Sequence, residues 1–211
     1  MEARVAEQFA ASTRGHVLTV FRDDGLYRHL SFTDVPGVSA WAWTVVTWPG
    51  GLTIDGWHTF TFTGHGDLLA RFRATRRDGG PDPAAWAQAA VAGETRGYSP
   101  DVLTAWVQRE TARYEAQCPG LGAAAGNAFA GLNAPATVHD ARARLDDFFY
   151  EPGVGNGESF RFDRHQAELH DWSESFVWAC HALAAVMTAY DQAAAAEDIV
   201  WVTGATGTPR S

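Results

Sequence analysis

Lysine is missing altogether: all 16 basic residues of this 211-residue chain are arginines. That excludes a lysine nucleophile or Schiff base. Alongside the many alanines, it is the composition a GC-rich genome produces, and it does not by itself indicate selection for bidentate anion recognition. Cysteine is nearly as scarce. Cys118 and Cys180 are too few for a disulfide framework or a Cys-rich zinc site, and Cys180 falls in a helical pattern as a small buried hydrophobe. No run approaches about 18 apolar residues, so no membrane span is expected. The opening MEARVAEQFAASTRG lacks the apolar segment of a signal peptide, and the expected location is cytoplasmic. Positive charge is also short. A net charge of −9 disfavours general nucleic-acid binding, which draws its affinity from a basic surface. No G-x-S-x-G, P-loop or Rossmann glycine pattern occurs. The sequence therefore names no reaction, and no catalytic residue, metal or cofactor is assigned.

What is present argues for a folded globule: 46% hydrophobic residues and nine tryptophans. The first third reads as an antiparallel meander of about five strands. His16–Arg22 and Leu26–Thr33 flank Asp23-Asp24-Gly25, and Pro36-Gly37 turns into a strand from Val38 to Trp48. Pro49-Gly50-Gly51 then leads to Leu52–Ile54 and Trp57–Thr63. After Gly64 the pattern turns helical, with pieces from Leu68 to Arg77 and from Pro83 to Ala92. Ser99-Pro100-Asp101 opens a helix to about Gln117, Thr137 caps one through Phe149, and Ser173 caps the best helix, Glu174 to about Ala195. Residues 118–136, rich in Gly and Ala, give no clear pattern. Sheet first and helices after predicts a single α+β domain over 1–211. Its sheet part spans about 16–63, its helical part about 65–196, and 197–211 form a tail to which Ile199–Val202 could add an edge strand.

Register decides the first hairpin. A two-residue Asp-Gly turn would place Val20 opposite His29. A three-residue loop with Gly25 left-handed pairs Arg22 with Leu26, Val20 with Arg28 and Leu18 with Leu30. The second choice gathers the apolar residues on one face, and with them His16, Arg22 and Arg28. Tyr27 and His29 fall on the other. A guanidinium cannot shed its charge, so one on an apolar face must find an anion. The plain reading is that both arginines snorkel or pair with Asp23, Asp24 or a distant carboxylate. The functional reading is a cradle for a phosphate or carboxylate, worth roughly 1.5–3 kcal/mol per charged hydrogen bond.

Trp41, Trp43, Trp48 and Trp57 offer rings for stacking a base, although tryptophans beneath helices are more often core. Trp48, before Pro49-Gly50, should sit at the sheet rim. His165, Glu168, His170 and Asp171 do not have HExxH spacing, and the histidines diverge on a helix; they read as a solvated cap. His181 reads as a core histidine that could titrate. Asp146-Asp147 beside Phe148-Phe149 reads as an amphipathic helix edge.

The block His16, Thr19-Val20, Arg22 to Gly25, Tyr27 to Leu30, Phe32, Pro36-Gly37, Val46 to Gly50, Leu52, Ile54 and Gly56 resembles a family of small uncharacterised proteins of tailed phages and prophages. A second echo lies in Phe176, Trp178, Cys180, Ala182 and Tyr190-Asp191. The chain departs from the family pattern after Gly56, at Trp57-His58-Thr59. The resemblance implies a phage or prophage accessory protein in bacterial cytoplasm, and by analogy one that counters a host defence. The expected function is binding, without turnover, of a small anionic molecule such as a cyclic nucleotide or ADP-ribose derivative. Arg22, Arg28, His16, His29, Tyr27 and Trp48 are the candidate ligand-binding residues. Two alternatives stand beside it: a protein-binding or homo-oligomeric structural role, and hydrolysis of a nucleotide signal with His16 or His29 as base.

Overall fold

A computed structural model describes residues 2–34, 42–153 and 158–196. The expected Pro36-Gly37 turn, the start of the third strand at 38–41 with Trp41, and the tail 197–211 with its edge strand lie outside the described residues. In chain order the elements are α1 (Glu2–Ser12), β1 (Val17–Asp24), β2 (Tyr27–Thr33), β3 (Trp43–Trp48), β4 (Gly51–Asp55), β5 (Phe60–Thr63), α2 (Leu68–Ala74), α3 (Pro83–Ala87) and β6 (Ala90–Ala92). There follow β7 (Arg96–Tyr98), α4 (Pro100–Tyr114), α5 (Leu121–Phe129), α6 (Val138–Asp147), β8 (Phe149–Tyr150), β9 (Phe160–Arg161), β10 (His170–Trp172) and α7 (Glu174–Ala196). The residues group into two compact units, one drawn from 1–95 and 172–211, the other from 96–171. Among the described residues no helix is long and apolar enough to cross a membrane.

The first unit is α+β, as the sequence predicts. Its sheet is a six-stranded antiparallel meander in the order β1-β2-β3-β4-β5-β6. Strand alternation puts one row of apolar residues on one face: Leu30 faces Val45, Val45 faces Ile54, and Ile54 faces Phe60. All four are buried, and each contributes on the order of 1.5–3 kcal/mol by leaving water. Helix α7 lies on that face, with Phe176 5.4 Å from Phe60. Phe72 of α2 stacks on Trp86 of α3 at 5.0 Å and meets Phe62 edge-on at 5.2 Å. Phe9 of α1 packs edge-on against Trp178.

Two features of this unit differ from the sequence reading. The segment 83–92 is not helical throughout: α3 ends at Ala87, and 90–92 pair with β5 as the sixth strand. Helix α1 carries only two buried apolar residues, Val5 and Phe9, too sparse a stripe to stand out in sequence.

The hairpin loop also differs, with consequences for function. It is the two-residue loop Gly25-Leu26, pairing Asp24 with Tyr27, Asp23 with Arg28 and Arg22 with His29. Gly25 takes φ +61°, the first-position glycine of a type II′ turn. The ladder then shifts by one residue between Val20 and Arg22, so that Val20 faces Leu30. The extra residue, Phe21, is a β-bulge. It preserves the apolar face below it and reverses the faces above it: Arg22 turns outward and Asp23 inward.

The second unit has its own core, in which Phe162 contacts Trp106, Phe129 and Phe148 at 5.0–5.7 Å. Its caps are those expected. Ser99 accepts the Val102 N–H at 3.3 Å to start α4, and Thr137 accepts the Asp140 N–H at 3.1 Å to start α6. The Gly/Ala-rich stretch contains α5, which buries Leu121, Ala125 and Phe129 along one stripe.

Candidate functional site

The arginine pair expected to cradle an anion is split across the sheet. Arg22, its side chain 61% exposed, bonds its near neighbour Asp24 at 3.0 Å and lies 5.8 Å from the Tyr27 ring. An exposed pair of this kind contributes about 0–1 kcal/mol. Arg28 is on the inner face and only 13% exposed, and the protein's own acids occupy it. Nη2 donates to Asp67 Oδ2 at 3.0 Å, and Nε stands 3.6 Å from Asp23 Oδ1. The Tyr190 ring lies 5.8 Å from the guanidinium, and its hydroxyl donates to Asp23. Burial is the largest single influence on Arg28 and works against its charge, but the hydrogen bonds and charges of Asp67 and Tyr190 together outweigh it, and the pKa is raised. Burial, with the hydrogen bond to Asp23, likewise raises Tyr190.

Asp67 links two elements here. Oδ2 takes Arg28, while Oδ1 caps α2 by accepting the Leu69 and Ala70 N–H groups at 3.0 and 3.3 Å. Two segments far apart in the chain, the β1–β2 hairpin and α7, meet in this cluster through Asp23, Arg28 and Tyr190. It is a clasp joining the β1–β2 hairpin to α2 and α7. Nothing in the spacing of Asp67 or Tyr190 marked them as its members.

Tyr27 and His29 lie on the outer face, as expected, and Arg22 joins them. Phe21 packs its ring 4.9 Å from His29. Trp48, paired with Gly51 at the β3–β4 turn, is half-buried at the sheet rim. Trp43 is core at 1% exposed, whereas Trp57 is 51% exposed and edge-on to Trp178. Of the six candidates, then, Arg22, Tyr27, His29 and Trp48 share the open face, Arg28 belongs to the clasp, and His16 lies elsewhere.

His16 lines an open groove of about 420 Å³ on the helical side, together with Phe9, Phe32, Arg76, Gly79, Gly80, Pro81, His181, Ala184, Ala185, Thr188, Ala189 and Gln192. The His16 ring sits 5.1 Å from Phe32, and His181 stacks on Phe9 at 5.8 Å. Arg76 follows α2 and is held at two points: Nη1 donates to Thr188 Oγ1 at 3.1 Å, and Nη2 donates to the Gly79 carbonyl. Its Nε is buried and, among the described residues, has no hydrogen-bond partner. No carboxylate of the described residues reaches Arg76 to pair with it, and none lines the groove. The sequence reading passed over Arg76 because Arg71, Arg73, Arg76 and Arg77 look alike as a basic run. Arg73 in fact pairs with Asp191 and Arg77 with Asp82.

Grooves in the second unit are less suited to an anion. One contains Arg144 with Asp140 and Asp147, and Arg144 already donates to the Ala128 and Asn133 carbonyls. Another contains Arg142 and Arg164, where Arg164 pairs with Asp146 and all three side chains are exposed. The segment expected to form a solvated cap holds a short turn at Arg164–Gln166 and then β10. Among the described residues no cluster could hold a metal ion. Cys180 is buried, as expected, and desolvation pushes its thiol well up.

Burial lowers the His181 pKa from its ordinary 6.5. The unfolded chain therefore binds a proton that the folded chain resists. The stability tied to the neutral ring is present above about pH 6.5 and is lost as pH falls through the lowered folded-state value. His181→Phe should flatten that acid limb, as read from urea midpoints between about pH 7 and 5. An unchanged slope would show that His181 does not titrate differently in the two states.

No family model, no curated protein and no solved structure matches this chain.

Proposed function

We propose that this protein binds a small organic anion in the groove between α7, α1 and the loop after α2, with Arg76 as its counter-ion. One observation carries this reading: a guanidinium whose buried Nε has no hydrogen-bond partner and no neutralising acid among the described residues, at the wall of a groove of about 420 Å³. Ligand pockets commonly fall between about 300 and 1,000 Å³ and are mainly apolar with a few fixed polar groups. Thr188 and the Gly79 carbonyl fix the Arg76 head, which lowers the entropy lost on binding. His16, the one sequence candidate in the groove, and Gln192 add polar partners. Binding rather than turnover is the reading because the sequence carries no catalytic motif, and among the described residues the contact shown for the His181 ring is with Phe9. Cyclic nucleotides and ADP-ribose derivatives, the host-defence signals suggested by the phage resemblance, fall in this ligand class.

Thermal-shift screening against cyclic nucleotides, ADP-ribose derivatives and simple carboxylates tests the proposal. A ligand that stabilises the native protein should lose at least about tenfold in affinity on Arg76→Gln, a cost of about 1.4 kcal/mol. Binding that survives Arg76→Gln but not Arg22→Gln would place the site on the open face instead.

A second reading, contact with another protein or with a second copy, draws on the outer face. Val17, Phe21, Tyr27 and Val46 are 39–56% exposed there, a cluster of the kind that marks interfaces. Native mass measurement separates the two readings: a monomer whose mass is unchanged by Phe21→Ser removes the oligomeric one.

A further inference from the structure

The groove also restricts the charge and shape of its ligand, an inference that rests on reading it as an anion site. Among the described residues, Arg76 is the one side chain lining it whose charge is permanent. Its terminal nitrogens each spend a hydrogen bond on the protein, to Thr188 and to Gly79. Each therefore keeps one further N–H. Two remaining donors on one guanidinium suit the two oxygens of a carboxylate or of a phosphodiester. A dianion would bring a second negative charge into a groove whose described lining holds no second fixed cation, and an unpaired charge of that kind is costly.

Beside His16, Thr188 and Gln192, much of the remaining wall is apolar. Phe9, with the His181 ring inclined only 29° to it, stands near Phe32, Pro81 and the small residues Ala184 and Ala185 of α7. Alanines on α7 leave room above the helix, and a planar ring presents the largest apolar area to such a wall. We infer that the ligand is an organic monoanion, a phosphodiester or a carboxylate, carrying a planar ring, which within the class proposed above favours 3′,5′-cyclic nucleotides over the doubly charged ADP-ribose derivatives. Doubly charged phosphate monoesters are the compounds this groove discriminates against.

Isothermal titration calorimetry at about pH 8 tests this, since a phosphate monoester is then doubly charged. The probes are 3′,5′-cyclic AMP, indole-3-acetate, 5′-AMP and adenosine, each titrated into the full chain. At least one of the two ring-bearing monoanions should bind at least about tenfold more tightly than 5′-AMP, and adenosine should not bind. Which of the two binds identifies the source of the charge. Arg76→Gln should abolish that binding. Ala185→Phe, which fills the wall without touching Arg76, should abolish it too and guards against a misfolded arginine variant. If 5′-AMP binds as tightly as the monoanions and still needs Arg76, the charge rule falls while the groove remains an anion site. If no probe binds, or if binding ignores both substitutions, the inference and the site fall together.

Discussion

Replacing Arg28 by methionine is expected to destabilise the protein by on the order of 3 kcal/mol. The cause is not the lost pairing energy alone. Asp23 and Asp67 would stay behind, 18% and 22% exposed, as two carboxylates near each other with no counter-charge. Asp67 would keep its role as the cap of α2, so the loss should be read as the uncompensated acids and not as a melted helix. Arg22→Met, at the exposed pair with Asp24, should stay within about 0.5 kcal/mol of the parent. Urea midpoints at constant slope measure both. A neutral Arg28→Met variant that has lost ligand affinity would reverse the assignment, making Arg28 a cradle and not a clasp.

Gly93→Ala is expected to cost about 3 kcal/mol as well, by a different route. Gly93 sits just past β6 with φ +96°, where a side chain is strained. A Cβ there would lie 2.3 Å from Cδ1 of Phe60, a ring that is 1% exposed at the centre of the core. Phe60 has little room to retreat, because Phe176 of α7 packs 5.4 Å away. The melting temperature should fall by roughly 6–12 °C. Gly126→Ala in α5 makes the control: no atom lies within 4 Å of its added Cβ, so helix propensity alone should leave it neutral or slightly stabilised. A fall of equal size in both variants would show that steric contact with Phe60 is not the cause.

Much of the fold was legible because strand periodicity, turn residues and helix caps all pointed one way. The first five strands, the Ser99 and Thr137 caps and the buried α7 follow from that agreement. The site was less legible, and one residue accounts for most of the difference. Both hairpin registers considered from the sequence assumed regular pairing, and Phe21 bulges. A bulge leaves the lower apolar rows intact, so hydrophobic patterning carries no trace of it. Yet it alone moves Arg22 to the outer face and brings Asp23 beside Arg28. The remaining partners, Asp67 and Tyr190, come from 39 and 167 residues away in the chain, from Arg28 and Asp23 respectively. Among the described residues, Arg73 and Arg77 each have a partner acid and Arg76 has none, and no single-sequence signal encodes that.

The most direct test observes the arginine side chains themselves. In Nε–Hε correlation spectra of the native protein titrated with 3′,5′-cyclic AMP and indole-3-acetate, the Arg76 resonance should shift saturably, while those of Arg22 and Arg28 stay in place. Movement of Arg28 or Arg22 with Arg76 unchanged would contradict the account, and so would the absence of any arginine shift with both probes.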